Sequence, residues 1–410
     1  MFEEIRPYND AEASEALKRV ADHPLLRGVS KYLFPEADPT LLAGLLKSVN
    51  SVDEFQAKVM SIAVEGVIKK TMTSFTYSGL DPFMADSNGN YPRYLIVSNH
   101  RDIVLDSALI QIILFRNSIP LTEIAVGDNL ISQKFIEDLI RSNRMVKVTR
   151  GATVKEAYQS SKILSEYLRK RVVNQESSIW IAQRNGRTKN GYDITEQGLL
   201  KMLNMSGQGD FASNFKELKI IPAAISYEFE PCDILKAIES YKKKNLLAGE
   251  KYVKAENEDL NSIITGIIQG KGSVNITFCE PISVKEIEIA DEFEKNVKFQ
   301  RLGEIIDKKI HQAYKLTPNN HIAYDMLKEE SSNSLEFTLD NTGKYTEEQK
   351  DIFTVGGKIL AFHLFHEKSA GRKLIAPIVL SPGGNFHIRY GFAVQFGFIN
   401  KLGIHPLGKF

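Results

Sequence analysis

The sequence predicts an α/β protein with a mixed, mostly parallel sheet that is flanked by helices. From residue 94 onward, short apolar runs alternate with longer segments of helical periodicity, an order typical of strands and their covering helices. The predicted strands are 94–97, 124–126, 145–149, 178–182, 218–227 and 274–278, the fifth of them broken near Pro222. The predicted helices between and after them are 132–141, 154–173, 199–205 and 293–314.

Two further regions flank the α/β domain, which we predict at residues 81–328. Residues 1–80 are predicted to be helical, with a capping box at Ser51 and Glu54 ahead of an amphipathic stretch. Such helices form either a bundle packed on the main domain or an amphipathic platform that touches lipid, and their mixed surface charge favours the bundle. Residues 329–410 change in character and form a C-terminal extension to which we assign no role.

Composition excludes several classes of protein. The 410 residues are 43% hydrophobic and 25% charged with a formal net charge of +1, which gives no electrostatic case for nucleic acid. No window approaches the ~20 apolar residues that span a bilayer, and the acidic N-terminus does not resemble a signal peptide. The two cysteines, Cys232 and Cys279, lack metal-ligand spacing and suggest a reducing compartment. We therefore expect a protein that is soluble or held on a membrane surface.

The most informative stretch is the end of the first predicted strand. Asn99 and His100 follow the apolar run, and Asp106 stands six residues after the histidine, at the start of an apolar segment. In α/β sheets ligands bind beyond the carboxyl ends of strands, and an imidazole there can accept a proton while a carboxylate fixes its tautomer. No serine or cysteine nucleophile is evident beside them, so deprotonation of a substrate hydroxyl is favoured. The alternative is a histidine that only hydrogen-bonds a turn and an aspartate that caps a helix.

Cationic residues follow two later predicted strands, 145–149 and 178–182. If these strands are parallel, their ends share an edge of the sheet with His100. Arginine and lysine side chains there would bind a phosphate, and glycines would let the backbone approach it. The inferred substrate is an anionic, phosphorylated alcohol, and the alternative is a solvated basic turn. The residues concerned are Arg150, Arg184, Gly186, Arg187, Lys189 and Gly191.

Three other patterns do not support a site. Residues 207–212 match a dinucleotide-binding motif but follow a helical run instead of a strand. Residues 266–272 resemble a P-loop with the wrong spacing and no serine or threonine. His363 and His366 have no clear partners for a metal, so we predict no metal site.

Taken in order, these segments resemble the four blocks of the glycerolipid acyltransferases, the superfamily of glycerol-3-phosphate and 1-acyl-glycerol-3-phosphate O-acyltransferases. The first block, a histidine and aspartate at a strand end, is similar to Asn99-His100…Asp106. The second, a strand that ends in arginine, is similar to 148–150, and the third to 185–191. The fourth, a hydrophobic strand with proline, is similar to 220–228, and the resemblance covers roughly residues 93–325.

The chain departs from the family pattern at two points. His100 and Asp106 are separated by five residues instead of four, which leaves Asp102 as an alternative partner for the histidine, although the apolar run favours Asp106. The third block lacks its usual glutamate, and Arg184 or Asn185 stands there.

The resemblance implies a glycerol-3-phosphate acyltransferase-like fold and an O-acyltransferase of phospholipid synthesis. It implies His100 as the base, Asp106 as its partner, and Arg150, Gly186, Arg187 and Lys189 as the groups that bind the acceptor phosphate. The donor would be acyl-CoA or acyl carrier protein as co-substrate, with no cofactor. The acceptor would be a phosphorylated glycerol or lysolipid, at the inner, cytoplasmic face of the membrane. Two alternatives are an acyltransferase with another lipid or sugar hydroxyl as acceptor and a catalytically weak lipid-binding relative.

Overall fold

The structure, a computed structural model, describes residues 2–321 except residues 132, 150, 152, 248 and 256. The predicted C-terminal extension, with His363 and His366, and the candidate phosphate ligand Arg150 lie outside the described residues.

A seven-stranded sheet forms the centre of the molecule, in the order β1-β7-β6-β2-β5-β3-β4. Its strands are β1 Met72–Ser78, β2 Leu95–Ser98, β3 Glu123–Gly127, β4 Met145–Val148, β5 Ile179–Ala182, β6 Ile220–Tyr227 and β7 Gly272–Phe278. Strands β2 to β6 are parallel to one another, whereas β7 is antiparallel to β6 and β1 is parallel to β7. The predicted mixed, mostly parallel sheet is therefore confirmed.

Helices cover both faces of this sheet and form the N-terminal region. They are α1 Asp10–Ala21, α2 Leu26–Leu33, α3 Leu41–Ser48, α4 Val52–Phe55, α5 Ser61–Thr71, α6 Leu105–Arg116, α7 Lys134–Ser142, α8 Val154–Val173, α9 Gln197–Asn204, α10 Phe211–Lys216, α11 Asp233–Lys244, α12 Glu258–Ile268, α13 Val284–Asp291 and α14 Asn296–Ala313. A turn of π-helix, Gln56–Met60, joins α4 to α5. Among the described residues, no helix is both long and apolar enough to cross a bilayer.

The two cores of the α/β domain lie on opposite faces of the sheet. Leu95 and Val97 of β2 belong to the core under α8, α9 and α14, while Ile96 between them belongs to the core under α5 and α6. This follows from the period of two in a strand, which sends successive side chains to opposite faces. A strand buried on both faces reads as a continuous apolar run, which is the pattern that identified β2 in the sequence.

The N-terminal helices have a smaller core of their own. Its members include Leu17, Leu46 and Phe55, and the core extends to Phe135 and Leu139 of α7. Ser51 Oγ accepts a hydrogen bond from the Glu54 amide at 3.1 Å, as the capping motif predicts. The helices thus pack on the α/β domain, which supports the bundle interpretation.

Two details of the sequence prediction are wrong. Residues Met72–Ser78, inside the region predicted to be helical, form β1, because Phe75 and Tyr77 pack on the sheet core while the backbone pairs with β7. The strand predicted to break near Pro222 is continuous. Proline removes one amide donor from the ladder, but the Pro222 carbonyl still accepts from the Cys279 amide at 2.8 Å.

Candidate active site

The site begins where β2 ends. Strands β2 and β5 are in register to their last residues, Ser98 beside Ala182, so the loops that follow them leave the sheet at the same edge. His100 lies two residues beyond β2, with its side chain 14% exposed. Its Nδ1 atom is 2.9 Å from Oδ2 of Asp106, the second residue of α6. Because an ionised carboxylate only accepts hydrogen bonds, Nδ1 carries the proton and Nε2 is left as the acceptor.

The Asp106 carboxylate is fully buried and organises the loop between His100 and α6. Besides the imidazole, Oδ2 accepts from the backbone amides of Arg101 at 2.6 Å and Asp102 at 3.0 Å. Its other oxygen accepts from the Tyr227 hydroxyl at 3.1 Å. Burial and the charge of Asp106 raise the pKa of Tyr227 well above its ordinary value, so the hydroxyl keeps its proton and donates. These contacts hold the carboxylate in one position, which fixes the orientation of the imidazole.

Asp102, the alternative partner for the histidine, has a different contact. Its Oδ1 atom accepts from the amides of Val104 at 2.9 Å and Leu105 at 2.8 Å and so closes the turn that leads into α6. Burial and the neighbouring Asp106 raise the pKa of Asp102. The extra residue between histidine and aspartate is accommodated because the loop curls around the Asp106 carboxylate, and it is Asp106 that reaches the imidazole.

Asn99 attaches the start of this loop to the neighbouring strand. Its side-chain amide donates to the Ile225 carbonyl at 2.9 Å, and its Oδ1 accepts from the Ile225 amide at 2.8 Å. Asn99 is fully buried, and both ends of its amide are satisfied by β6. The residue that precedes the histidine therefore positions the backbone from which the imidazole projects.

The loop after β5 carries the predicted anion-binding residues and is joined to the histidine loop. The Thr188 amide donates to the His100 carbonyl at 3.1 Å. Gly186 has a φ of 75°, and the position of a Cβ atom on it is open, so its backbone can approach a ligand. Arg187 is only 7% exposed, and its Nη1 atom has no hydrogen-bond partner in the described part of the chain. A buried guanidinium with an unsatisfied donor beside a cavity is suited to an anionic ligand.

Lys189 is paired with an acid from another element. Its Nζ lies 2.6 Å from Oε2 of Glu239 on α11, and Oε1 of Glu239 is 2.7 Å from Lys243. Burial, with repulsion from Arg187, lowers the pKa of Lys189 to about 8, although Glu239 opposes this shift. The ammonium group is thus charged at neutral pH and close to its titration range.

A cavity of about 840 Å³ joins these groups, and its wall includes His100, Arg184, Gly186, Arg187 and Lys189. Four of the five described residues predicted for the site, His100, Gly186, Arg187 and Lys189, therefore meet there, and the fifth, Asp106, lies behind the imidazole. Arg150 is outside the described residues, but Thr149 and Gly151 on either side of it line the same cavity. Much of the rest of the wall is apolar. Strands β3, β4 and β5 contribute to it, and helices α7, α8 and α9 add Ile136, Ile140, Leu164, Leu199 and Met202.

Sequence reasoning missed an ion pair beneath the site. Arg101 and Asp193 are both fully buried, and their side chains approach to 2.9 Å. The Lys236 ammonium donates to the Arg101 carbonyl at 2.6 Å and to Glu230 at 2.8 Å. Arg101 is adjacent to His100 and Asp193 follows the third block, so this pair connects the two loops from below. The only sequence signal was the position of Arg101 beside the histidine.

Glu196 is a second residue that the sequence did not indicate. It lines the cavity, and its Oε2 accepts from the Asn185 amide at 3.1 Å. Its own amide donates to the Gln183 carbonyl at 2.9 Å. The third block lacks its usual glutamate, yet a carboxylate from eleven residues further along the chain contacts the same loop. No short motif could have revealed this contact, because the chain folds back between the two residues.

Metal ligation has no counterpart in the described residues, since no cluster of three or more histidine, cysteine, aspartate or glutamate side chains is arranged to hold an ion there. The histidine–aspartate pair and the neighbouring cations provide an acceptor for a proton and a site for an anion. This combination is suited to activating a hydroxyl on a negatively charged substrate.

Comparison with known proteins identifies the domain. A family model described as Acyltransferase matches residues 75–226, which contain the His100 and Asp106 pair and the whole loop after β5. Among solved structures, the 1-acyl-sn-glycerophosphate (LPA) acyltransferase PlsC from Thermotoga maritima is similar, with 12% identity and a TM-score of 0.36 over 74% of this chain and 95% of that one. None of the curated proteins matches. Residues 75–226 thus match an acyltransferase domain, and this part of the chain is an acyltransferase.

Proposed function

We propose that this acyltransferase moves a fatty acyl group from a thioester, either acyl-CoA or acyl carrier protein, to a hydroxyl of glycerol-3-phosphate or 1-acyl-glycerol-3-phosphate. The observation that carries this proposal is the shared cavity, in which His100 faces the same space as Arg187 and Lys189. A base alone would suit many hydroxyls, and cations alone would suit many anions. Their combination beside apolar walls suits a phosphorylated glycerol and a fatty acyl chain.

In the proposed reaction, His100 acts as the general base. Its Nε2 removes the proton from the glycerol hydroxyl as the oxygen attacks the thioester carbonyl. The tetrahedral intermediate then collapses, the carbon–sulfur bond breaks, and the imidazolium returns the proton to the departing thiolate. Asp106 keeps the proton on Nδ1 at 2.9 Å and stabilises the imidazolium. General-base assistance of this kind contributes roughly 10²–10⁴-fold, and holding both substrates in place contributes much of the rest.

The acceptor phosphate is proposed to bind Arg187 and Lys189, with Arg150 as a third cation and the backbone at Gly186 as a further contact. The unsatisfied Nη1 of Arg187 supports this role, since a phosphate oxygen would provide its missing partner. Lys189 already has Glu239 as a partner at 2.6 Å, so the phosphate would share it or displace the carboxylate toward Lys243. Thr149 and Gly151, the residues on either side of Arg150, line the cavity wall.

The acyl chain is proposed to lie along the apolar part of the cavity, between α7, α8 and α9. Ile140, Leu164 and Met202 contribute to this wall. The volume of about 840 Å³ is within the range of pockets that enclose a large part of a small ligand. Burying the chain there would remove its methylene groups from water, and each buried group would stabilise the complex by about 0.8 kcal/mol. The thioester carbonyl would then be held near His100 by the position of the chain.

A transfer assay tests this proposal. Purified protein is incubated with a labelled acyl-CoA or acyl carrier protein and with a panel of acceptors: glycerol-3-phosphate, 1-acyl-glycerol-3-phosphate, glycerol, an aminolipid and a sugar-linked hydroxyl. The expected product is an acylated glycerol phosphate, and His100→Ala should lower turnover by roughly 10²–10⁴-fold with an unchanged far-UV circular dichroism spectrum. Wild-type turnover in this variant would disprove the mechanism.

The pattern across acceptors separates the remaining alternatives. Product with the phosphorylated glycerols and none with glycerol supports the proposed cation site. Product only with the aminolipid or the sugar-linked hydroxyl would replace the proposed acceptor, and thioester binding without any product would indicate a lipid-binding relative. In the proposed role the enzyme would work at the cytoplasmic face of the membrane and release its lipid product into that bilayer.

A further inference from the structure

The most exposed large apolar side chains of the described residues are confined to two segments. Val154 and Tyr158 at the start of α8 are 90% and 63% exposed, and Leu247 and Val253 in the connection between α11 and α12 are 73% and 82% exposed. Every other large apolar side chain in the described part of the chain is at most 52% exposed. Single exposed apolar residues are common. Four of the most exposed apolar side chains within two short segments, however, indicate a surface that binds a partner.

Both segments border the substrate cavity. From the first, Ala157 and Ser161 line its wall, and from the second, Lys243 and Lys254 do so. Lys254 of the second segment also pairs with Asp259 of α12 at 2.6 Å, and Asp259 in turn accepts from Asn129 after β3, another residue of the cavity wall, at 3.3 Å. The exposed apolar residues therefore belong to two segments that each contribute residues to the cavity wall. We call residues 153–161, 241–247 and 249–255 together the rim surface.

The rim surface is also basic. Residues 241–255 contain five lysines and a single glutamate. Lys243 and Lys254 are paired with Glu239 and Asp259. Lys242, Lys244 and Lys251 are exposed and pair with no acid within the residues that the structure describes. Three uncompensated cations thus stand beside Leu247 and Val253.

Exposed apolar side chains next to lysines are the combination that binds an anionic lipid surface, since the apolar groups enter the headgroup region while the ammonium groups contact lipid phosphates. We propose that the rim surface rests on an anionic lipid bilayer, with the cavity beside it. This inference rests on the proposed function, because an acceptor or product with an acyl chain must pass between the bilayer and the cavity. A cavity bordered by the bound surface would let that chain move without crossing water.

The N-terminal helices are the rival surface. Leu25, Val29 and Leu41 there are 46%, 44% and 40% exposed, about half the values of Val154 and Val253. They also lie away from the cavity wall, which no residue before His100 lines. They therefore provide a matched control with the same residue types and similar chemistry.

Vesicle co-sedimentation of the full chain tests the proposal, with vesicles of phosphatidylcholine alone and of phosphatidylcholine with phosphatidylglycerol. We expect the wild type to bind the anionic vesicles far more tightly. Leu247→Ser with Val253→Ser should weaken binding at least about fivefold, and each of Lys242→Glu, Lys244→Glu and Lys251→Glu should weaken it about fivefold or more. The control pair Leu25→Ser with Val29→Ser should bind as the wild type does.

A second measurement separates this inference from the proposed function. Transfer from a short-chain, water-soluble acyl-CoA to glycerol-3-phosphate without vesicles should be unchanged in the rim variants, because they leave the cavity groups in place. Absence of this transfer in the wild type would count against the proposed function alone. The inference itself is overturned if the rim variants bind vesicles normally, if the control pair loses binding instead, or if the wild type binds acyl carrier protein through these lysines and no vesicles.

Discussion

The backbone amide of Thr188 donates to the carbonyl of His100 at 3.1 Å, which joins two loops that are 88 residues apart in the chain. One loop carries the imidazole and the other carries the cations. The same two loops are held from below by the buried pair of Arg101 and Asp193 at 2.9 Å. The base and the anion-binding groups are therefore held together by contacts between their two loops.

The first prediction concerns the residue that orients the imidazole. Asp106→Asn should lower kcat by about 10²–10⁴-fold, because the amide can present its donor to Nδ1 and so favour the wrong tautomer. The acceptor KM should change little. Steady-state kinetics with glycerol-3-phosphate measures both constants.

Asp102→Asn is the matched control for that variant. Its carboxylate accepts from the Val104 and Leu105 amides and does not contact the imidazole, so an asparagine can keep those bonds through its carbonyl oxygen. We expect kcat within a few-fold of the wild type and a change in unfolding free energy of about 1 kcal/mol or less. Loss of turnover equal to that of Asp106→Asn would contradict the assignment of Asp106.

The second prediction concerns the buried ion pair. Arg101→Met leaves the Asp193 carboxylate buried without its cation and should lower the free energy of unfolding by about 3–5 kcal/mol. The double variant Arg101→Met with Asp193→Leu removes both charges and should recover much of this loss. Urea denaturation monitored by circular dichroism measures the three proteins. A double variant as unstable as the single one would show that the cost came from lost packing.

The third prediction concerns pH. The pKa of Lys189 is lowered to about 8 by burial, and its charged form is the one that binds phosphate. Since the charge is present below this pKa and lost above it, kcat/KM for the acceptor should fall as pH rises through about 8. The pH profile is measured with glycerol-3-phosphate as the varied substrate.

Lys189→Arg provides the control for the pH profile. Arginine remains charged above pH 12, so the decline near pH 8 should disappear while acceptor binding persists. Lys189→Met should raise the acceptor KM at neutral pH and also lack the decline. If kcat/KM declines near pH 8 in the same way in all three proteins, the group that titrates is not Lys189.

The fourth prediction concerns Glu196. Glu196→Ala removes the acceptor for the Asn185 amide and should raise the acceptor KM about fivefold, the equivalent of one net hydrogen bond of about 1 kcal/mol. Glu196→Gln keeps a carbonyl oxygen in that place and should remain close to the wild type. If the glutamine variant is as impaired as the alanine variant, the negative charge itself contacts the acceptor.

Local patterns predicted most of the α/β framework. The run Leu95–Val97 is continuous and apolar because β2 is buried on both faces, and the helix predicted at 154–173 has the bounds of α8. Errors arose where tertiary contacts overrode the local pattern. Met72–Ser78 becomes a strand by pairing with β7, a partner 200 residues away, and Pro222 is tolerated inside β6.

The sequence by itself determined that a histidine and an aspartate stand at the end of a buried strand, and that cations follow another strand, because burial and turns leave local signatures in residue type and spacing. Only the tertiary structure decided that Asp106 and not Asp102 reaches His100, since the choice depends on how the intervening loop curls. It also decided that Glu196 and Glu239 contact the loop of the cations, because side chains of distant elements meet only after the sheet has formed.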